Sequence, residues 1–240
     1  MIPLRDANPT RRAPLVTLIL IAACFIVFAW ELGVLASSGE PGLNQFFTEH
    51  GAVPAEVSRA LASGELVSEA SRGILTSLFL HGGWLHLLGN MLFLWIFGNN
   101  VEDRLGRPLF LLFYLAGGIA AALTQVAIDP ASTLPVIGAS GAIAATLGAY
   151  IVLYPRARIL SLVFLGFFYQ LIEVPALLVL GFWFVLQLID GIASLGLSSA
   201  TEGGVAFFAH IGGFAAGLLI ALAIRARRPR PPRPVPATVG

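Results

Sequence analysis

Apolar residues run along this chain in long blocks, and charged residues and Pro/Gly punctuation gather in the gaps between them. Blocks of this length predict bilayer-crossing helices, since the hydrocarbon core takes about 20 apolar helical residues to span. Six are read: Leu15 to Leu35, Trp84 to Val101, Leu109 to Ile128, Ala139 to Tyr154, Val174 to Ile189 and Val205 to Ile224. Pro14, Pro108, Pro155 and Pro175 mark ends of the first, third, fourth and fifth, where a fixed φ and a missing N–H start or stop a helix. The fourth and fifth blocks are short. Between them Ile159 to Ile172 is also apolar, and it reads as an extension of the fifth helix, an interfacial stretch or a seventh span.

Charge placement narrows these options. All 14 basic residues are arginine, and 12 of them fall on one side of the six-span arrangement. Arg5, Arg11 and Arg12 precede the first span, Arg104 and Arg107 follow the second, Arg156 and Arg158 the fourth, and Arg225, Arg227, Arg228, Arg230 and Arg233 the sixth. Cytoplasmic loops collect arginine, so both termini are expected in the cytoplasm. A seventh span would carry the five-arginine tail outside and is rejected. The first outer loop instead carries Glu40, Glu49, Glu56, Glu65 and Glu69 beside Arg59 and Arg72.

A composition of 57% hydrophobic and 11% charged residues departs from that of soluble domains and fits one membrane domain. The expected fold class is thus an all-α integral membrane bundle of six transmembrane helices. Residues 1–14 are read as a cytoplasmic segment, 15–224 as the membrane domain and 225–240 as a disordered Arg/Pro tail able to touch anionic lipid. Arg11 and Arg12 before an apolar run resemble a secretory signal, but the run is long for one. The single cysteine, Cys24, excludes an internal disulfide and is read as a small buried hydrophobe. No internal repeat is evident. The lipid bilayer is an expected partner and nucleic acid is not.

Polar groups kept inside spans are costly, so each is a candidate for function. They are His81, His86 and Asn90 at the start of span two, Ser140 at the start of span four and His210 early in span six. Glu31, Asp129, Glu173, Asp190 and Glu202 fall near span ends, where water or headgroups are expected to solvate them. Spans two, four and six all run inward from the outer face, so their first turns share one depth. His86 and Asn90, four residues apart, stack on one helix face. Four polar side chains can therefore meet at one shallow site.

Such a site permits acyl transfer. His210 can take the Ser140 proton as the hydroxyl attacks a carbonyl. The Ser140 backbone N–H and the side chains of His86 and Asn90 can donate to the oxyanion. No acid lies at the depth needed to orient His210, so a two-residue dyad is expected rather than a triad. Gly138, Gly141 and Gly148 around Ser140, with Gly213 and Gly217 after His210, allow the close helix approach a Ser–His hydrogen bond needs. Blander readings stand beside this one: Ser140 as a packing residue, and His86 with His210 as haem ligands or proton carriers. His81 is read as an interfacial residue and His50 as a solvated structural one.

Three motifs on three spans resemble those of the rhomboid intramembrane serine proteases. Gly138, Ala139, Ser140 and Gly141 match the GxSG nucleophile motif, and Ala209, His210, Gly213 and Gly217 match AHxxGxxxG. His81 to Asn90, HGGWLHLLGN, is similar to the second-helix motif bearing the oxyanion donors His86 and Asn90. The resemblance implies a six-helix rhomboid bundle with a short Ser140 helix beginning at the bottom of a water-filled cavity. It implies an endopeptidase that cuts transmembrane protein substrates near the outer face, where their helices unwind easily, with no metal or cofactor. A bacterial inner or plasma membrane is the expected location. A catalytically silent rhomboid-like binder is the alternative. Two departures from the family pattern stand out: Ser71-Arg72 replaces a Trp-Arg pair in the first outer loop, and Ala144 replaces an aromatic that packs on the catalytic histidine.

Overall fold

The computed structural model describes residues 2–65, 67–165, 168–194 and 206–227. Its first helix, α1 (Leu15–His50), buries Thr17, Leu20, Cys24, Phe28 and Glu31, a spacing of three and four that turns one stripe inward. The remaining surface stays apolar and exposed, as at Ile19, Ile26 and Trp30, which suits lipid rather than water. Gly39 breaks the helix with φ 65° and ψ −171°, a conformation in which a side chain would be strained. The leg beyond it folds back with Phe46 and Phe47 buried against Leu80. Two short helices follow, α2 (Pro54–Ser63) and α3 (Glu69–Thr76). Their Val57 and Ile74 pack on Ala122 and Val126, in the helix that spans Arg107–Ile128.

Helix α4 (Trp84–Phe93) passes through a π turn at Leu94–Gly98 into α5 (Asn99–Leu105). After it come α6 (Arg107–Ile128), α7 (Ser140–Leu153), α8 (Ala176–Ser194) and α9 (Phe207–Arg227). Among the described residues four helices, α1, α6, α8 and α9, are long and apolar enough to cross a membrane. Glu69–Phe79 and Trp84–Leu105, which meet at 80°, make a fifth if counted as one bent span. The expected fourth span is α7, only 14 residues long. At about 21 Å it falls short of a hydrocarbon core of about 30 Å.

Helix α7 is the centre of the bundle. Every residue from Gly141 to Tyr150 is buried, so it has no lipid-facing stripe. Its neighbours α6 and α9 approach to backbone contact because the touching positions are glycine. A Cβ on Gly148 would strike the Phe214 carbonyl, and one on Gly213 or Gly217 the carbonyls of Gly141 and Ala145. On the other side a Cβ on Gly141 would lie 2.6 Å from that of Ala121. Small residues thus set the separation of the two helices that carry Ser140 and His210.

The all-α expectation needs correction. Strands β1 (Ile2–Asp6), β2 (Arg158–Leu165) and β3 (Phe168–Pro175) form an antiparallel sheet in the order β1-β2-β3. The stretch Ile159 to Ile172 is therefore part of a hairpin, and the fifth helix begins at Ala176 rather than Val174. Ala157, Ile159 and Ser161 are buried at period two, the signature of a strand. Leucines at 160 and 162 conceal that alternation in the sequence. The N-terminal strand is anchored to the bundle: buried Asp6 accepts from Tyr150 Oη at 2.9 Å and from Asn100 Nδ2, joining β1 to α7 and α5. Burial holds the Asp6 carboxyl above its ordinary value of 3.8. Helix α9 extends to Arg227, three residues into the expected tail. Residues 228–240, Glu202 and Val205 lie outside the described residues.

Candidate active site

The loop leading to Ser140 is pinned before the helix begins. Ala52 and Val136 form an antiparallel bridge, and the Gly138 N–H donates to the Ser77 carbonyl at 2.8 Å. Gly138 then turns with φ +122°, a conformation that favours glycine. Glycine is also required for space, because a Cβ there would lie 2.7 Å from His86 Nε2. Ser140 follows as the first residue of α7. Its side chain meets α9: Ser140 Oγ and His210 Nε2 are 2.7 Å apart.

The other nitrogen of His210 is also engaged. His210 Nδ1 bonds Gln187 Oε1 of α8. An amide oxygen can only accept, so Nδ1 carries the ring proton and Nε2 keeps the lone pair that accepts from the serine hydroxyl. No acid faces His210 in the described contacts, and a neutral amide holds the position where a triad would have its carboxylate. Gln187 escaped the sequence reading because its signal is weak: one amide in an apolar helix, remote in sequence from both partners. Trp183, one turn earlier on α8, packs its ring on His210 with centroids 5.9 Å apart. It supplies the aromatic support that Ala144, fully buried on α7, lacks.

His86 and Asn90 lie one turn apart on α4. The Gly82 N–H donates to His86 Nδ1 at 3.3 Å, which assigns the proton to Nε2 in the neutral ring. That N–H lies against Gly138, whose own Cβ position is 3.5 Å from Ser140 Oγ. Asn90 Nδ2 is buried with no hydrogen-bond partner among the described residues. An idle buried donor costs about 1–3 kcal/mol. This idle donor sits on the same helix face as His86, one turn further along α4.

Among the remaining polar residues Glu31 differs from expectation, while His81 and His50 gain partners. Glu31 is not solvated at a span end: it is 2% exposed, and its Oε1 accepts from the His81 N–H at 3.0 Å. His81 is buried, edge-on to His86 with ring centroids 5.1 Å apart. His50 stacks on Phe46 at 4.4 Å, its Nδ1 on the Phe46 carbonyl at 3.0 Å. The outer loop is docked without the Trp-Arg pair. Gly73 of α3 sits against the Gly51 carbonyl, and Thr76 Oγ1 donates to the His50 carbonyl. Arg72 instead pairs with Glu69 at 3.0 Å on the surface.

Relatives bear out the resemblance at the level of family. The rhomboid domain profile matches residues 68–227. The rhomboid protease GluP of Bacillus subtilis is 38% identical over 125 residues, covering 51% of this chain and 23% of GluP. The mitochondrial rhomboid protein 1 of Saccharomyces cerevisiae is 38% identical over 95 residues, covering 38% of this chain and 28% of its own length. The mitochondrial presenilin-associated rhomboid-like protein of Bos taurus is 29% identical over 155 residues, covering 64% and 36%. The match thus spans little more than a third of any of these three relatives. Two of the three are mitochondrial, so they give no support to the expected bacterial plasma membrane. With its profile match running from α3 through α9, the chain is a multi-pass membrane protein of the rhomboid family.

Proposed function

We propose that this chain is an intramembrane serine endopeptidase that cleaves transmembrane protein substrates. The observation that carries the reading is the Ser140–His210 contact of 2.7 Å, with the far nitrogen of His210 already bound. In this mechanism Ser140 Oγ attacks the scissile carbonyl while His210 Nε2 takes its proton. The oxyanion accepts from the Ser140 N–H, His86 Nε2–H and the idle Asn90 amide. His210 then returns the proton to the departing amine, and water, activated by the same imidazole, hydrolyses the acyl-serine. Gln187 keeps the ring in the tautomer that both half-reactions need, and Trp183 limits its tilt. Substrate amides reach Ser140 only once locally unwound, since a helical peptide bond is internally hydrogen-bonded.

The topology that goes with this function has six membrane segments, the α3–α5 pair and short α7 among them. Both termini face the cytoplasm and the site opens outward. The haem reading loses its footing because both ring nitrogens of His210 are committed to Ser140 and Gln187. The test is fluorophosphonate labelling of detergent-solubilised protein, beside cleavage of a model transmembrane substrate. Wild type should label and cleave, and Ser140→Ala and His210→Ala should each lose both by about a thousandfold or more. Equal labelling of all three would leave a silent rhomboid-like binder as the better account.

A further inference from the structure

Four of the arginines that the charge pattern collects on one side lie close together. An open groove of about 820 Å³ runs between the N-terminal arm, the α5–α6 corner and the last turn of α7. Arg11, Arg12 and Arg104 line it with one carboxylate, Asp103. Arg107 stands beside it in a crevice shared with Arg12 and Asp103. Both Asp103 oxygens are bound to the arm's backbone: Oδ2 accepts from the Arg11 N–H at 3.2 Å and Oδ1 from the Arg12 N–H at 3.1 Å. The carboxylate thus works as a clamp on the chain. Two consecutive arginines are held at the surface, and the groove is lined by three arginines and one acid.

The tendency of arginine to gather on the cytoplasmic side explains its presence at this end. It does not explain convergence on one concavity. The neutral polar residues of the groove spend their donors elsewhere, Asn8 on Tyr150 Oη and Tyr154 on the Asn100 carbonyl. Its positive charge therefore comes from the arginines. Guanidinium groups match phosphate oxygens in planar, two-point geometry. Leu105 and Leu153 give the same groove an apolar wall, which a free anion has no use for and a lipid does.

Placement points the same way. The groove sits where α5 and α7 end and α1 and α6 begin, so apolar helices lead away from it. It is about 20 Å along α7 from Ser140, well clear of the candidate active site. We propose that this groove binds the phosphate of an anionic phospholipid headgroup, with Arg11 and Arg12 as its principal donors and Arg104 beside them. Basic pockets at the cytoplasmic ends of membrane helices are suited to such headgroups. The proposal is independent of whether the chain is a protease.

Native mass spectrometry of the full chain in detergent, with phosphatidylglycerol added, tests it. Wild type should retain one phosphatidylglycerol molecule, and Arg11→Gln/Arg12→Gln should bind it about tenfold or more weakly. A control of equal charge change away from the groove, Arg5→Gln/Arg156→Gln, should bind as wild type does. Arg11→Lys/Arg12→Lys keeps the charge without the fork, and should fall between while melting as wild type. Equal retention by the groove variant, equal loss in the control, or equal retention of phosphatidylcholine would overturn the proposal. Displacement of phosphatidylglycerol by inorganic phosphate at equal concentration would also overturn it, by marking a free-anion site.

Discussion

Helix α7 joins two buried polar clusters that have been treated differently. At its C-terminal end Asp6 accepts from Tyr150, Asn100 and Asn8, and nearby Glu102 accepts from Thr17 through both backbone and hydroxyl. None of these groups appears among the buried side-chain atoms lacking a partner. At the N-terminal end the ledger is open: Asn90 Nδ2, Glu31 Oε2 and His81 Nε2 are buried without partners among the described residues. A closed network secures a fold. Buried donors and acceptors left without partners are kept at a cost to stability, and under the proposed function those of Asn90 are open to a substrate atom.

That contrast can be broken by substitution, the largest effects falling at the open end. Asn90→Ala should lower kcat for a model substrate about a hundredfold, with a melting temperature equal to or above that of wild type, because an idle buried donor is removed. A large loss of stability with unchanged turnover would assign Asn90 to the closed kind. Gln187→Leu should lower kcat about tenfold to a hundredfold by freeing the His210 ring, a loss smaller than that of a catalytic group. Gln187→Glu should restore much of the rate and shift the acidic limb of the pH–rate profile upward, since a carboxylate stabilises the imidazolium. Identical profiles for Gln187→Glu and wild type would reduce Gln187 to a packing residue.

Effects at the closed end should appear in stability and not in chemistry. Tyr150→Phe removes one donor to the buried Asp6 carboxylate and should cost about 1–3 kcal/mol, read by thermal melting, with kcat of the folded fraction unchanged. The smallest effect concerns pH. Because burial raises the folded Asp6 value, the folded state holds its proton more tightly than the unfolded state. Stability should therefore fall as pH rises from about 3.8 through that raised value, and level off above it. Asp6→Asn should flatten the slope, and an unchanged slope would place its origin in another group.

Much of the candidate site was legible before any coordinates. Ser140, His210, His86 and Asn90 announce themselves because polar groups are scarce in apolar helices and because three motifs occur together. A shared depth is what helix rise and the expected span direction imply. The residues that organise them were not legible. Gln187 and Trp183 act from α8, which carries no motif, and a lone amide or indole in an apolar helix gives no sign of what it faces. The hairpin was missed for a related reason: in Ile159 to Ile172 nearly every position is apolar, so inward and outward residues look alike.

The one-dimensional pattern thus determined how the chain meets its solvent: which blocks are apolar enough for lipid, which gaps between them collect arginine and which polar groups lie within apolar blocks. Those properties depend on local composition and on a period fixed by backbone geometry, so they can be read without knowing any neighbour. Tertiary structure decided what depends on contacts between distant residues. It set the partner of His210 Nδ1, the strand pairing of β1 with β2, the closed bonds around Asp6 and the gathering of Arg11, Arg12 and Arg104 around one groove. A side chain's polarity is its own, but its hydrogen-bond partner and its facing charge belong to the packing.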